Sequence, residues 1–162
     1  MRKRTRTVTA MFLTGIMLVL SGCNSGSDVR SDVAVEDIAM SIRAVISTEA
    51  ELTTRNDSYV SGMLRLDISD VVEYYVANVG GLYVDEIGVL KGRDKAHAGE
   101  IYASVQSMLQ LRLDTWMNEY MPEEKPKLAN AECKQLGNYV VYVILSDENR
   151  AAALKAFEDA LK

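Results

Sequence analysis

Near its C-terminal end the chain reads Tyr139-Val140-Val141-Tyr142-Val143-Ile144-Leu145, seven consecutive residues with no charged side chain. β-Branched and aromatic residues dominate the run, and these suit a pleated strand. Successive side chains of a strand point to opposite faces, so a strand that is apolar throughout cannot leave one face in water. The run is expected to be central in a sheet, or covered on both sides. Gly137-Asn138 just before it has hairpin chemistry. The preceding segment, Leu128 to Leu136, alternates loosely, with Ala129, Ala131 and Cys133 on one face and Asn130, Glu132 and Lys134 on the other.

A second pair of strand-like runs lies upstream. Val71 to Val76 and Leu82 to Leu90 flank Gly80-Gly81, and together they suggest another hairpin. In the second run Asp85 shares a face with Ile87 and Val89, while Glu86 goes with Val84. Helical spacing appears three times. Val35, Ile38, Ala39, Ile42, Val45 and Ile46 predict a helix over about 33–50, with Ser31 or Asp32 as N-cap. Ala98, Ile101, Tyr102, Val105, Met108, Leu109, Leu113, Trp116, Met117 and Tyr120 predict a long helix over about 95–120, capped by Asp94 and ended by Pro122 and Pro126. Ser146-Asp147 opens an Ala-rich final helix striped by Leu154, Phe157 and Leu161. Residues 51–68 are mixed and polar, with room for one more helical turn. The order α-β-β-α-β-β-α predicts an α+β fold, an antiparallel sheet of about four strands with helices on at least one face.

The N-terminus sets location rather than fold. Arg2, Lys3, Arg4 and Arg6 precede the uncharged, mainly apolar run Val8–Leu20, which has 13 residues. A membrane span needs about 20 helical residues, so this run has the length of a secretory h-region instead. Leu20-Ser21-Gly22-Cys23 follows and resembles the lipobox of bacterial lipoproteins. The resemblance implies diacylglyceryl transfer to the Cys23 thiol and cleavage before it. On this reading residues 1–22 are a signal peptide, 23–32 a lipidated Cys and flexible tether, and 33–162 one α+β domain. The localisation expected is extracytoplasmic, anchored to the cell membrane through Cys23.

The mature chain would carry 14 Lys and Arg against 23 Asp and Glu, a net charge of -9. That balance disfavours nucleic acid and anionic lipid head groups as surface partners. Cys133 would be the one remaining cysteine. It can serve as a redox or intermolecular thiol, but a small buried apolar residue is the commoner role.

Further along, Asp85-Glu86-Ile87 with Lys91, Tyr120-Met121-Pro122-Glu123, Leu128-Ala129-Asn130-Ala131 and Gly137-Asn138-Tyr139-Val140-Val141 occur in that order. This string resembles an uncharacterised family of bacterial lipoproteins, typical of Gram-positive anaerobes and catalogued as a domain of unknown function. The resemblance implies a fold and a location, and no activity.

No constellation points to catalysis. His97 is the single His and sits in the first turn of a predicted helix, where a surface role suffices. One His and one free Cys cannot make a structural zinc site, and no phosphate loop or nucleophile elbow is present. No metal, cofactor or catalytic residue is expected. Candidate ligand contacts are Asp85, Glu86, Tyr74 and Tyr75, against the alternative that they serve structure and packing. The expected function is a non-catalytic binding or interaction module of the cell envelope, with an envelope protein, peptide or wall component as partner. The alternative is a small envelope enzyme acting on cell wall or peptide through carboxylates such as Asp85, Glu86, Glu123 or Glu124.

Overall fold

The computed structural model describes residues 29–117, 119 and 121–162. Leu20, Ser21, Gly22, Cys23 and Tyr120 lie outside the described residues. The fold is α+β. Helices α1 (Val35–Arg43), α2 (Asp57–Leu64), α3 (Lys95–Asp114), α4 (Lys125–Ala129) and α5 (Asp147–Ala160) pack on strands β1 (Thr53–Thr54), β2 (Val71–Asn78), β3 (Glu86–Gly92), β4 (Glu132–Leu136) and β5 (Tyr139–Ile144). The strands form one antiparallel sheet in the order β1-β2-β3-β5-β4. Every residue of β5 is buried.

The sheet divides the core in two. Ile87, Val89, Val141 and Val143 face α1 and α5, where they meet Ile38, Ile42 and Phe157. Leu90, Val140, Tyr142 and Ile144 face the other way, toward α2, α3 and α4, and meet Leu64, Ile101, Val105 and Leu128. The two-faced apolar strand is thus covered by a helix layer on each side.

Several boundaries differ from the sequence expectation. The fifth strand, β1, is a two-residue edge piece that no hydrophobic alternation could announce. Helix α1 stops at Arg43, short of residue 50. The Asn149 side chain takes both the N–H and the C=O of Ser47 (3.1 and 2.6 Å), pinning that backbone to α5 in place of a further helical turn. Its N-cap position is Ala34, and the orphan N–H of Val35 donates to Glu73 Oε1 at 3.0 Å, a carboxylate supplied from β2. Helix α3 is capped by Asp94, which accepts from the N–H groups of Ala96 and His97 (both 2.9 Å), and it ends at Asp114. Residues 57–64 make a two-turn helix where one turn was expected, capped by Asn56 and ended by Arg65 at φ 52°. Leu82, Tyr83 and Val84 fall outside β3. Val79 N–H already closes the hairpin on Asp85 C=O at 2.9 Å, and the chain between them bulges out as a loop.

Two glycines answer to their surroundings. Gly137 has φ +57° in the β4–β5 turn, matching the first position of a type II′ turn. Gly88 pairs with Tyr142 across β3 and β5, and the tyrosine ring lies directly over it. A Cβ at position 88 would sit 1.9 Å from Tyr142 Cε1. That ring is fully buried and cannot swing away. Gly88→Ala is therefore expected to destabilise the domain by about 1–3 kcal/mol or more, as overpacking of a filled core does. A urea titration followed by circular dichroism would show the lower midpoint.

Candidate functional site

Three carboxylates are buried at the end of the sheet where β3 begins: Asp85 (2% exposed), Glu86 (1%) and Glu124 (4%). Burying a carboxylate costs several kcal/mol unless it is paired and hydrogen-bonded, so each should have found partners. Asp85 precedes β3, so strand alternation does not govern it: it goes to Lys127 of α4, in the helix layer that also covers Glu86, and not to the α1–α5 face of Ile87 and Val89 as the sequence pattern predicts.

Glu86 enters the α2–α3 side of the sheet. Tyr142 Oη donates to Glu86 Oε1 at 2.6 Å. Its Oε2 accepts from Tyr59 Oη and from Arg112 Nη1, both at 3.0 Å, and from Asn78 Nδ2 at 3.5 Å. Asn78 Nδ2 also donates to Tyr59 Oη at 2.8 Å, and Arg55 donates to Asn78 Oδ1. One charge is thus held by one guanidinium and a ring of neutral donors drawn from α2, α3, β2 and β5.

Asp85 turns toward α4. Lys127 Nζ bonds Asp85 Oδ2 at 2.8 Å and Glu124 Oε1 at 2.9 Å, so two carboxylates flank one ammonium. Glu124 Oε2 also accepts from Val84 N–H at 3.0 Å, tying the 79–85 loop to α4. The same ammonium stands 5.9 Å from the centroid of the Tyr83 ring. Burial pulls the Lys127 pKa down, but the hydrogen bonds and charges of Asp85 and Glu124 outweigh it, and the net shift is upward.

The other two candidates lie elsewhere. Tyr74 donates to Asp57 on the α2 side, and Tyr75 Oη accepts from Arg43 Nη1 at 2.6 Å on the α1 side. Both are half-buried, each under its own helix layer. The structure brings Asp85 and Glu86 into one polar region and leaves Tyr74 and Tyr75 outside it. Glu123 is exposed, whereas its neighbour Glu124 is buried. His97 bonds its own cap, Asp94, at 2.8 Å. Cys133 is half-buried, and burial pushes its thiol up to about 12, far from the thiolate needed for redox chemistry at neutral pH.

Arg112, Lys127, Tyr59 and Tyr142 complete this cluster and were not singled out by sequence reasoning. Lys127 had a local signal: Pro126, one residue before it, favours the first turn of a helix. The long-range partners of Glu86 had none. Chemically the cluster is saturated. Each carboxylate is met by donors from the protein itself: Glu86 by Tyr142, Tyr59 and Arg112, Asp85 by Lys127, and Glu124 by Lys127 and the Val84 N–H. Among the described residues no three His, Cys, Asp or Glu side chains are grouped to hold a metal ion. A groove of about 650 Å³ lies elsewhere, between α3, α4 and β4, and Leu109, Gln110, Asp114, Leu128 and Cys133 line it.

The segment that builds the sheet and the buried cluster also matches a family pattern. The model for Domain of unknown function (DUF4358) matches residues 48–145, more than half of the chain. The chain belongs to the DUF4358 family. No curated protein and no solved structure matches it. The DUF4358 segment contains the whole sheet, α2, α3, α4 and every residue of the buried cluster. It leaves out α1 and α5, which cover the face bearing Ile87, Val89, Val141 and Val143.

Two outcomes follow from this geometry. A fragment of residues 48–145 is expected to aggregate or remain unfolded, while residues 29–162 give a monomeric folded domain. Size-exclusion chromatography and amide-proton dispersion in NMR spectra would separate the two. The second concerns alkaline pH. Burial, then the Glu86 charge and hydrogen bond, push Tyr59 up to about 12. Burial with the same neighbour raises Tyr142 as well. A proton bound more tightly in the folded state stabilises it below the unfolded pKa, near 10. That contribution is lost as pH rises toward the folded value. Denaturant midpoints should therefore fall between pH 9 and pH 11, and Tyr59→Phe should flatten the fall while lowering stability at pH 7 by about 1 kcal/mol.

Proposed function

We propose that this protein is a membrane-anchored extracytoplasmic lipoprotein whose domain is a non-catalytic binding or interaction module of the cell envelope. The observation that carries the reading is the N-terminal order: Arg2, Lys3, Arg4 and Arg6, the short apolar run 8–20, then Leu20-Ser21-Gly22-Cys23, followed after a short link by a folded domain. A diacylglyceryl Cys23 supplies two acyl chains. Each buried methylene contributes about 0.8 kcal/mol, so two chains hold stably where one does not.

Three features support the non-catalytic half. The buried carboxylates are each engaged by a cation or hydroxyl donors. The Cys133 thiol is held protonated. His97 is spent on a helix cap. The partner class is an envelope protein, a peptide or a wall component. The enzymatic alternative rests on one observation, the two carboxylates of Asp85 and Glu124 side by side; Lys127 between them supports a structural role instead.

Expression in a Gram-positive host tests the anchor. The mature N-terminal peptide should begin at Cys23 and carry the diacylglyceryl mass. The protein should enter the detergent-rich phase on cloud-point extraction, and Cys23→Ser should remove the diacylglyceryl mass and leave the leader uncleaved. A mature protein beginning elsewhere would sink the anchor. Turnover of wall fragments by residues 29–162, abolished by Asp85→Asn or Glu124→Gln in a folded variant, would sink the non-catalytic half.

A further inference from the structure

We infer that the anchored domain stands on the bilayer by the end of the sheet that carries the β4–β5 turn, with the 79–85 loop held at the membrane-distal pole. This rests on the lipid anchor proposed above and adds a direction to it. The first described residues are fixed to the domain. Arg30 N–H donates to the Leu161 carbonyl at 3.0 Å, at the C-terminal end of α5. Val29 packs on the core, its Cγ1 3.2 Å from where a Gly137 Cβ would be. The chain therefore leaves the domain beside the Gly137-Asn138 turn.

Strand polarity places the other pole. In the β3–β5 register Lys91 pairs with Tyr139 and Glu86 with Ile144. The 137–138 turn and the 79–85 loop are thus at opposite ends of the two central strands, about 17 Å of strand apart before either loop is counted. Six residue steps separate Cys23 from Val29, which span at most about 22 Å when fully extended. A compact chain of this size is about 36 Å across. Inverting the domain would lift Val29 by nearly that whole width, farther than the link can reach.

The consequence concerns Leu82 and Tyr83. They are 55% and 40% exposed, a pair of apolar side chains on a loop tip. Such a tip invites reading as a membrane-dipping element. The link length forbids that and turns the tip, with the acidic cluster behind it, outward. The Gly137 pole faces the bilayer because the link holds it there, not because its surface attracts lipid.

The test uses the full lipidated chain with Cys133→Ser, and a fluorophore on a new thiol at either Lys162→Cys or Leu82→Cys, both exposed positions. The protein is reconstituted in vesicles of phosphatidylcholine and phosphatidylglycerol that carry a nitroxide on the head group. Quenching is expected to be several-fold stronger at position 162 than at 82. A Gly-Ser insert of about twenty residues after Ser27, with an end-to-end distance of about 25 Å, should shrink that ratio toward one. Equal or reversed quenching in protein that floats with the vesicles overturns the orientation and leaves the anchor standing. A ratio that the insert does not change also overturns it, because the link would not be what sets direction. Protein that fails to float overturns the anchor and the orientation together.

Discussion

The architecture depends on β5, a strand that is buried at every residue. Its alternate side chains demand an apolar surface above the sheet and another below. The chain supplies the two layers from different regions. One comes from α3 and its short companions α2 and α4, between the hairpins or just before them. The other comes from α1 and α5, at the two ends of the described chain. Covering the second face therefore forces the ends of the domain together, and Asn149 bonds Ser47 across that junction. It is also why the chain emerges beside the C-terminal end of α5, a placement that has nothing to do with the local sequence of the link itself.

The sheet closes less simply at the end where β3 begins. Apolar covering runs out there, and the sequence places two acids side by side. Because they diverge, one cation cannot serve both; α3 provides Arg112 and α4 provides Lys127. Deleting one partner of a buried pair costs about 3–5 kcal/mol, while replacing the whole assembly with apolar groups can be neutral. The ion pairs thus tie α3, α4 and the 79–85 loop to the start of β3. They fix where a five-residue helix and a long loop must sit, elements that have little apolar surface to position them.

How much of this was legible varied with the range of the interaction. The central strand, the two hairpins, the long helix and the α+β class follow from side-chain periodicity, a local property. The Asp94 cap followed from its place before an apolar stripe. Helix α4 was missed because five residues are too few for a period to show, and β1 because two residues carry none. The end of α1 was misplaced because its stop is a side chain more than a hundred residues away. The same limit applied to the polar cluster. Asp85 and Glu86 stood out as acids in an apolar run, but Arg112, Tyr59 and Tyr142 are ordinary residues in their own segments, and the fold alone brings them to Glu86.

The family boundaries and the physical unit do not coincide. Residues 48–145 contain the sheet and one covering layer, so they describe half of a sandwich. The opposite face presents Ile87, Val89, Tyr139, Val141 and Val143, all fully buried in the complete domain. An antiparallel sheet can leave one face to water only when that face is polar, and this one is not. The covering residues of α1 and α5 need only be apolar at helical spacing, a weak demand that many sequences meet. Glu86 must meet an Arg, two Tyr and an Asn at fixed positions, a demand that few substitutions satisfy. Both demands come from the same sheet: its Glu86 end needs particular donors, and its Val141 face needs an apolar cover. The α1–α5 layer is therefore as necessary to the fold as the segment that carries the family pattern.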